Sequence, residues 1–403
     1  METIKSIVFV QISLVHYQYP RLQALSEKCQ EAGVTFTNIE LTSFFNEYPW
    51  LTGNEQTRFT NITLFPGLSL EKVDPSVLWP ALQGALEKLN PDVIFHFGYS
   101  LKIMRRLKTW ADKRNITSVL MSDSNSFDRK RYFPLEMLKR LFVSRYDGAF
   151  VGGTSSSQYI QSLGIPASRI TYGVDVIDTT FFEECSGENR SHIHEVRRRW
   201  NLPDRYFLFV GRLIGEKNLP MLLAAYQKYV LAKEQAASPW DLVICGGGPQ
   251  ESELKQIVQN MPDRVREKIH LRGHINQPEI IDFFSCAACF VLPSVSESWG
   301  LVINEALSCG LPVIVSSKTG CARDLVIQGE NGWVFDPANM DELVRLMGCI
   351  TDFDEPVRVA MGQKGRELIS DWKLDRYTRG AIEIAGIAHA HRKGNQKTKP
   401  LSI

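Results

Sequence analysis

The feature that most limits what this chain can become is a repeated alternation of short runs rich in β-branched and aromatic residues with longer amphipathic stretches. Strands buried on both faces read as near-continuous apolar runs and need a crossover segment between them, so the alternation predicts parallel sheets covered by helices. Strands are expected at Ile7–Val10, Val34–Asn38, Val93–Phe97, Ser118–Met121, Gly148–Val151 and Arg169–Ile170. After a charged stretch from Glu183 to Arg199, a second series is expected at Tyr206–Val210, Asp241–Cys245, Ile269–Leu271, Cys289–Leu292, Pro312–Val315 and Gly332–Phe335.

At 403 residues, 44% hydrophobic and 23% charged, the chain exceeds what one core usually holds. The reading is α/β: two doubly wound, Rossmann-like domains over 1–200 and 201–375, facing a cleft, then a helix and polar tail over 376–403. Open sheets of this kind bind ligands beyond the carboxyl ends of their strands, so the chemistry is expected there.

Composition excludes several classes. A formal net charge of +1 offers no global attraction to nucleic acid, which is not an expected partner. Eight cysteines are too sparse for a disulfide scaffold, and Cys286 and Cys289 lie in an apolar run that reads as core rather than a half-zinc motif. No signal-peptide pattern opens the chain and no run of about 18 apolar residues occurs, which leads to an expectation of a cytoplasmic protein, at most peripheral at the inner face of a membrane.

Three segments of the second half carry the chemistry. In Phe209-Val210-Gly211-Arg212-Leu213-Ile214-Gly215-Glu216-Lys217-Asn218 a strand ends in glycine and two cations follow, Arg212 with a planar fork and Lys217 with a point charge, suited to a diphosphate, although a solvated loop with ordinary surface cations has the same residues. In Cys245-Gly246-Gly247-Gly248-Pro249 the glycines permit close approach of backbone to a ligand or to a neighbouring element. The third segment runs from Pro293 to Ile314. Here Glu297 sits in a polar loop, Gly300 opens a helix carrying Glu305, and the amides around Trp299, Gly300 and Leu301 suit a phosphate or sugar hydroxyl. The two carboxylates suit a diol, although an acid/base pair or a surface coincidence has the same spacing.

Together these residues resemble the family-four retaining glycosyltransferases of the GT-B fold, most strongly from about Phe207 to Pro337, with a weaker match at Tyr172-Gly173-Val174-Asp175. The resemblance implies a nucleotide-diphosphate sugar as co-substrate, with no separate cofactor. Arg212 and Lys217 would meet the diphosphate, Glu305 the ribose and Glu297 the transferred sugar, with Gly211, Gly246, Trp299, Gly300 and Leu301 lining the donor and Ile275 near the nucleobase. Asp371-Trp372-Lys373 and the helical Tyr377–His389 resemble the family's closing helix. Departures lie in the first loop, Gln11 to Arg21, which lacks the family's glycine pair, in Ser122-Asp123, which stands where a histidine-aspartate pair is common, and in Gly320-Cys321, where a second glycine is usual. Asp123 is carried over as a candidate beside the reacting carbon; His16, Arg21 and His96 are acceptor-side candidates.

Cations already placed at the phosphate stabilise a leaving group that gains negative charge, so no metal is expected. The one literal Asp-x-Asp, Asp352-Phe353-Asp354, reads as a surface turn. The expected activity is transfer of a sugar to an acceptor hydroxyl with retention; the alternatives are a catalytically silent nucleotide-sugar-binding subunit and a GT-B-fold epimerase. The acceptor is open among lipid-linked, saccharide and small-metabolite classes. From Lys102 to Arg145 the chain carries twelve Lys or Arg against four Asp or Glu, interleaved with Trp110, Tyr132 and Phe133. Leu135, Met137, Leu138, Leu141 and Phe142 form one apolar helix face, which either packs on the first domain or meets anionic lipid; a soluble anionic acceptor is a third use of the patch.

Overall fold

The computed structural model describes residues 4–44, 57–233 and 239–396, with side chains through residue 394. Among these, the first sheet has strands β1 (Ser6–Gln11), β2 (Thr35–Phe44), β3 (Asn61–Ser69), β4 (Val93–Phe97), β5 (Thr117–Ser122), β6 (Gly148–Val151) and β7 (Ile170–Tyr172). The second has β8 (Tyr206–Val210), β9 (Asp241–Cys245), β10 (Ile269–Gly273), β11 (Cys289–Leu292), β12 (Val313–Ser316) and β13 (Gly332–Phe335). Their orders are β3-β2-β1-β4-β5-β6-β7 and β10-β9-β8-β11-β12-β13, and every pairing is parallel. In each sheet the order reverses beside the first strand, between β1 and β4 and between β8 and β11.

Each expected strand is present, and the sequence reading missed β3. Its segment contains Pro66 and Gly67, which argue against a strand, but β3 is an edge where proline is tolerated. The register against β2 shifts between Thr42 and Phe44, around those two residues. Strand β2 also runs beyond the expected Asn38, because its polar residues are satisfied inside the sheet. Asn38 accepts from Gln11 (2.6 Å) and donates to Asn61 (2.7 Å), while Glu40 accepts from the Leu14 amide (3.0 Å) and from Thr63 (2.5 Å).

The chain forms two compact units. The first comprises the described residues to Ser126, Arg131 to Ile177 and those from Leu374 onward; the second comprises Phe127–Lys130 and Asp178–Lys373. After the short segment Phe127–Lys130, the chain passes into the second unit for good at Asp178, where the sequence reading placed the break near residue 200, and leaves it after Lys373. The helices Thr179–Ser191 and Ile193–Trp200 are fastened there, with Asn189 and Trp200 donating to Asp282 at 2.8 and 2.7 Å.

Within the first unit, the last helix (Leu374–Gln396) packs over β5, β6 and β7 through Tyr377, Ala381, Ile384 and Ala388. Polar ties fix its far end. Arg392 bonds Asp112 (2.9 Å), Asp147 (3.4 Å) and the Ile116 carbonyl (3.0 Å), and His389 meets the Thr117 hydroxyl at 3.0 Å. Asp147 is buried beside Arg392, and that burial raises its pKa.

The basic stretch is less uniform than its count suggests. Lys108 is buried and paired with Asp112, Arg114 pairs with Glu87, and Trp110 is core. Of the two readings of the helix Phe133–Val143, packing on the domain holds only at its end: Val143 is buried and Phe142 lies partly buried against the same core, while Phe133, Leu138 and Leu141 are 78%, 63% and 68% exposed. The cysteines are free thiols, with Cys286 and Cys289 buried as expected of core. Asp354 caps the helix Glu355–Ile369 by accepting from Val357 N (3.2 Å), and Asp352 pairs with Lys233.

Candidate functional site

In the second unit, the loops after β8 and β11 meet where the strand order reverses, the place where open parallel sheets bind ligands. After β8, Gly211 N donates to the Cys245 carbonyl (3.0 Å) and Leu213 N to the Gly247 carbonyl (2.9 Å), which seats the Arg212 segment against the turn after β9. Glycine at 246 and 248 is required by that contact: a Cβ on Gly246 would lie 1.8 Å from the Gly211 carbonyl oxygen, and one on Gly248 would lie 2.6 Å from that of Leu213. Of the two uses open to this triplet, the structure shows close approach to a neighbouring element.

Asn218 then ties the loop to its neighbour, donating to the carbonyls of Pro293 (3.3 Å) and Pro337 (3.5 Å), while Val295 N donates to the Glu216 carbonyl (2.9 Å). This clasp brings Lys217 and Glu297 into an ion pair in which both side chains are mostly buried. The sequence assigns them to different parts of a donor; the structure makes them partners. Glu297 is also held by main chain, its N donating to the Lys318 carbonyl and its carbonyl accepting from Gly320 N, both at 3.0 Å. Gly320 has no room for a side chain, since a Cβ would sit 1.8 Å from the Ser298 carbonyl oxygen. Cys321 is buried behind it and donates from N to the Trp299 carbonyl (3.0 Å).

Gly300, at φ +98°, turns the chain into the helix Leu301–Ser308. Trp299 is buried, its ring against that of Trp372 with centroids 4.8 Å apart and planes tilted by 37°, and its indole N–H donates to Asn304 (3.0 Å), so the helix entry is rigidly backed. Glu305 lies one turn into this helix and is buried. At the end of β10, Gly273 accepts from Gly246 N (2.7 Å), and exposed His274 and half-buried Ile275 follow, with His274 at 2.9 Å from Asn276. A cavity of about 260 Å³ adjoins, lined by Leu213, Gly246, Leu254, Leu271, Arg272 and Gly273 among others. It is smaller than the roughly 300–1,000 Å³ of pockets for drug-sized ligands, so it has room for one moiety of a larger one.

In the first unit, His16, Arg21, Asp123 and Asp175 gather at the carboxyl ends of β1, β5 and β7. Arg21, buried, donates from Nε to the Val176 carbonyl (2.7 Å). Burial, then the charge of Arg21, depresses the His16 pKa to about 4, and its ring lies 3.8 Å from that of Tyr17. Burial, then the charge of Asp123, pushes the Asp175 carboxyl above the usual carboxylate range against the opposing pull of Arg21. Asp123 is exposed at the end of β5. Asp175 was not among the candidate site residues, and the only signal for it was the Tyr172–Asp175 match. His96 stands apart from this group: it is wholly buried in β4, edge-on to Tyr146 at 5.2 Å, and burial followed by the charge of Lys108 lowers its pKa to about 3. It is a core residue, not an acceptor-side group, because no part of it reaches the surface.

Residues 193–368 match the family described as glycosyl transferases group 1. The O-antigen chain mannosyltransferase B of Escherichia coli is 26% identical over 272 residues, covering 66% of this chain and 67% of that protein. The GDP-mannose-dependent alpha-(1-6)-phosphatidylinositol monomannoside mannosyltransferase of Mycolicibacterium smegmatis is 28% identical over 63% of each. The chain spans about half the length of another relative, an uncharacterized glycosyltransferase of Haemophilus influenzae (47%). In fold, the chain is similar to Anabaena HepE in complex with UDP, with a TM-score of 0.73 and 14% identity over 95% of this chain and all of that one.

Proposed function

We propose, on the premise that this chain belongs with the GT-B-fold glycosyl transferases group 1, that it transfers a sugar from a nucleotide-diphosphate donor to an acceptor hydroxyl with retention of configuration. The observation that carries the reading is the clasp at the strand-order reversal of the second sheet, which sets the Lys217–Glu297 pair, in the loop that also carries Arg212, beside the glycine-opened helix bearing Glu305.

Breaking the bond between the anomeric carbon and the donor phosphate oxygen sends an electron pair to the diphosphate and leaves positive charge on the ring. Arg212 and Lys217 oppose the first, and Glu297 faces the second. In the free protein Lys217 and Glu297 neutralise one another, so a donor that inserts its diphosphate by Lys217 and its sugar by Glu297 replaces one pairing with two. Such groups are held in place before reaction, and preorganised charge stabilises a transition state most. The amides at the start of the helix Leu301–Ser308 add to this, and Glu305 binds the ribose diol. The acceptor proton passes to the departing phosphate oxygen, so no separate base is required. The proposal includes no metal.

The test is turnover of a panel of nucleotide sugars by Arg212→Ala and Glu305→Gln proteins whose circular dichroism matches wild type. Loss of one preorganised charge costs on the order of 10² to 10³ in rate, so Arg212→Ala is expected to fall that far in kcat, and Glu305→Gln to raise the donor KM. Near-normal kinetics in either refutes the placement. Activity is expected to survive EDTA; loss restored by magnesium or manganese would put an ion on the diphosphate instead.

A further inference from the structure

We propose that the outer face of the helix Phe133–Val143 is a docking site for a membrane surface bearing anionic lipid headgroups. This goes beyond the transfer reaction, and its test does not depend on turnover.

Helices that cover a sheet normally turn apolar residues inward and polar ones outward. This helix is reversed. Phe133, Met137 and Leu141 recur at i, i+4 and i+8, and Leu138 lies beside them; all four are exposed. Its carboxylate turns inward, where Glu136 accepts from Lys139 (2.7 Å) and from the Tyr159 hydroxyl (2.8 Å). Satisfying Glu136 within the protein removes the helix's only carboxylate from the outer face.

The charge around this face selects the occupant. Strands β4, β5 and β6 are consecutive neighbours, so right-handed crossovers place the helices Lys102–Lys113 and Phe133–Val143 on the same side of the first sheet. They are tied by Arg145, which follows the second helix, bonding Asp112 on the first at 2.7 Å. On the first helix the exposed face is cationic, with Lys102, Arg105 and Arg106 at i, i+3 and i+4. Arg140 is exposed on the second helix and Arg145 just after it. An apolar strip bordered by cations matches the boundary between acyl chains and anionic headgroups, whereas a second copy of the face would oppose like charges. No helix among the described residues is long and apolar enough to cross a membrane, so the contact is interfacial.

The full chain is tested by co-sedimentation with vesicles of phosphatidylcholine alone and of equal parts phosphatidylcholine and phosphatidylglycerol, across a salt series. Binding is expected only to the anionic vesicles, weakening as salt rises. Phe133→Ser, Leu138→Ser and Leu141→Ser together should lower the partition at least about tenfold with an unchanged melting temperature, because these side chains are already in water. A separate Leu138→Trp protein should show blue-shifted emission on anionic vesicles alone. The proposal is overturned by absence of anionic binding at low salt, by equal binding to neutral vesicles, or by unchanged binding of the triple variant. It is also overturned if the wild type is a dimer in analytical ultracentrifugation that the triple change dissociates without altering vesicle binding.

Discussion

At the scale of single residues, the sequence identified Lys217 and Glu297 separately, and nothing in it announced that they pair across 80 positions. Pairing depends on which loops the strand order makes neighbours, and that order is a property of the sheet. The pair makes a prediction about stability: with both side chains mostly buried, Lys217→Ala and Glu297→Gln should be non-additive by about 0.5–3 kcal/mol in a double-mutant cycle of urea unfolding. Additive losses would mean the ion pair is not maintained in solution. His96 was legible as a polar residue at a strand end, but its burial was not, because the ring that faces it, Tyr146, comes fifty positions later. Its folded-state pKa, about 3, lies below the ordinary 6.5, so the unfolded chain takes up a proton that the native protein refuses. That contribution to stability is complete above about pH 6.5 and declines as pH falls toward 3. His96→Phe is therefore expected to flatten the loss of melting temperature between pH 6.5 and 4 relative to wild type, and parallel curves would refute it.

At the scale of elements, the turn after β9 offers a test within three consecutive residues. A Cβ on Gly247 meets only the His274 Cβ, at 3.7 Å, whereas one on Gly246 collides with backbone. Gly246→Ala should destabilise by roughly 2–4 kcal/mol and Gly247→Ala by much less, read as midpoints of thermal unfolding. The sequence could not separate these glycines, since the element they approach, the loop after β8, is distant in the chain. The same limit explains the strands. Apolar runs such as Phe207-Leu208-Phe209 declare themselves, because a strand buried on both faces must be apolar throughout. Strand β3 did not, since an edge tolerates Pro66, and β2 was cut short, since Glu40 and Thr42 read as polar until the neighbouring strands supply their hydrogen bonds. Another element-level expectation concerns Arg392, which joins the last helix to Asp112 and Asp147. Arg392→Ala should cost on the order of 3 kcal/mol, because Asp147 remains buried without its largest compensating charge; a loss within error of zero would show the tie to be incidental.

At the scale of the molecule, the family resemblance and the two-sheet architecture were legible because both rest on patterns local in sequence: strand-helix alternation and the spacing of Glu297 from Glu305. The placement of the division was not, since the helices Thr179–Ser191 and Ile193–Trp200 follow the first sheet in sequence but bond to Asp282 of the second unit. Because the first unit is completed only by the helix Leu374–Gln396, a chain ended at Lys373 should lose hydrogen-exchange protection throughout β5, β6 and β7 while β8 to β13 stay protected. Uniform protection would show that helix to be dispensable. The order of segments also bears on synthesis. On the ribosome, the second unit emerges whole and is free to fold, whereas the first waits, one face of β5 to β7 uncovered, for about two hundred further residues. At roughly 5–20 residues per second that wait lasts on the order of ten seconds or more. The nascent amino-terminal unit therefore spends that interval with one face of β5 to β7 open to whatever binds exposed apolar sheet, until the helix Leu374–Gln396 emerges to cover it.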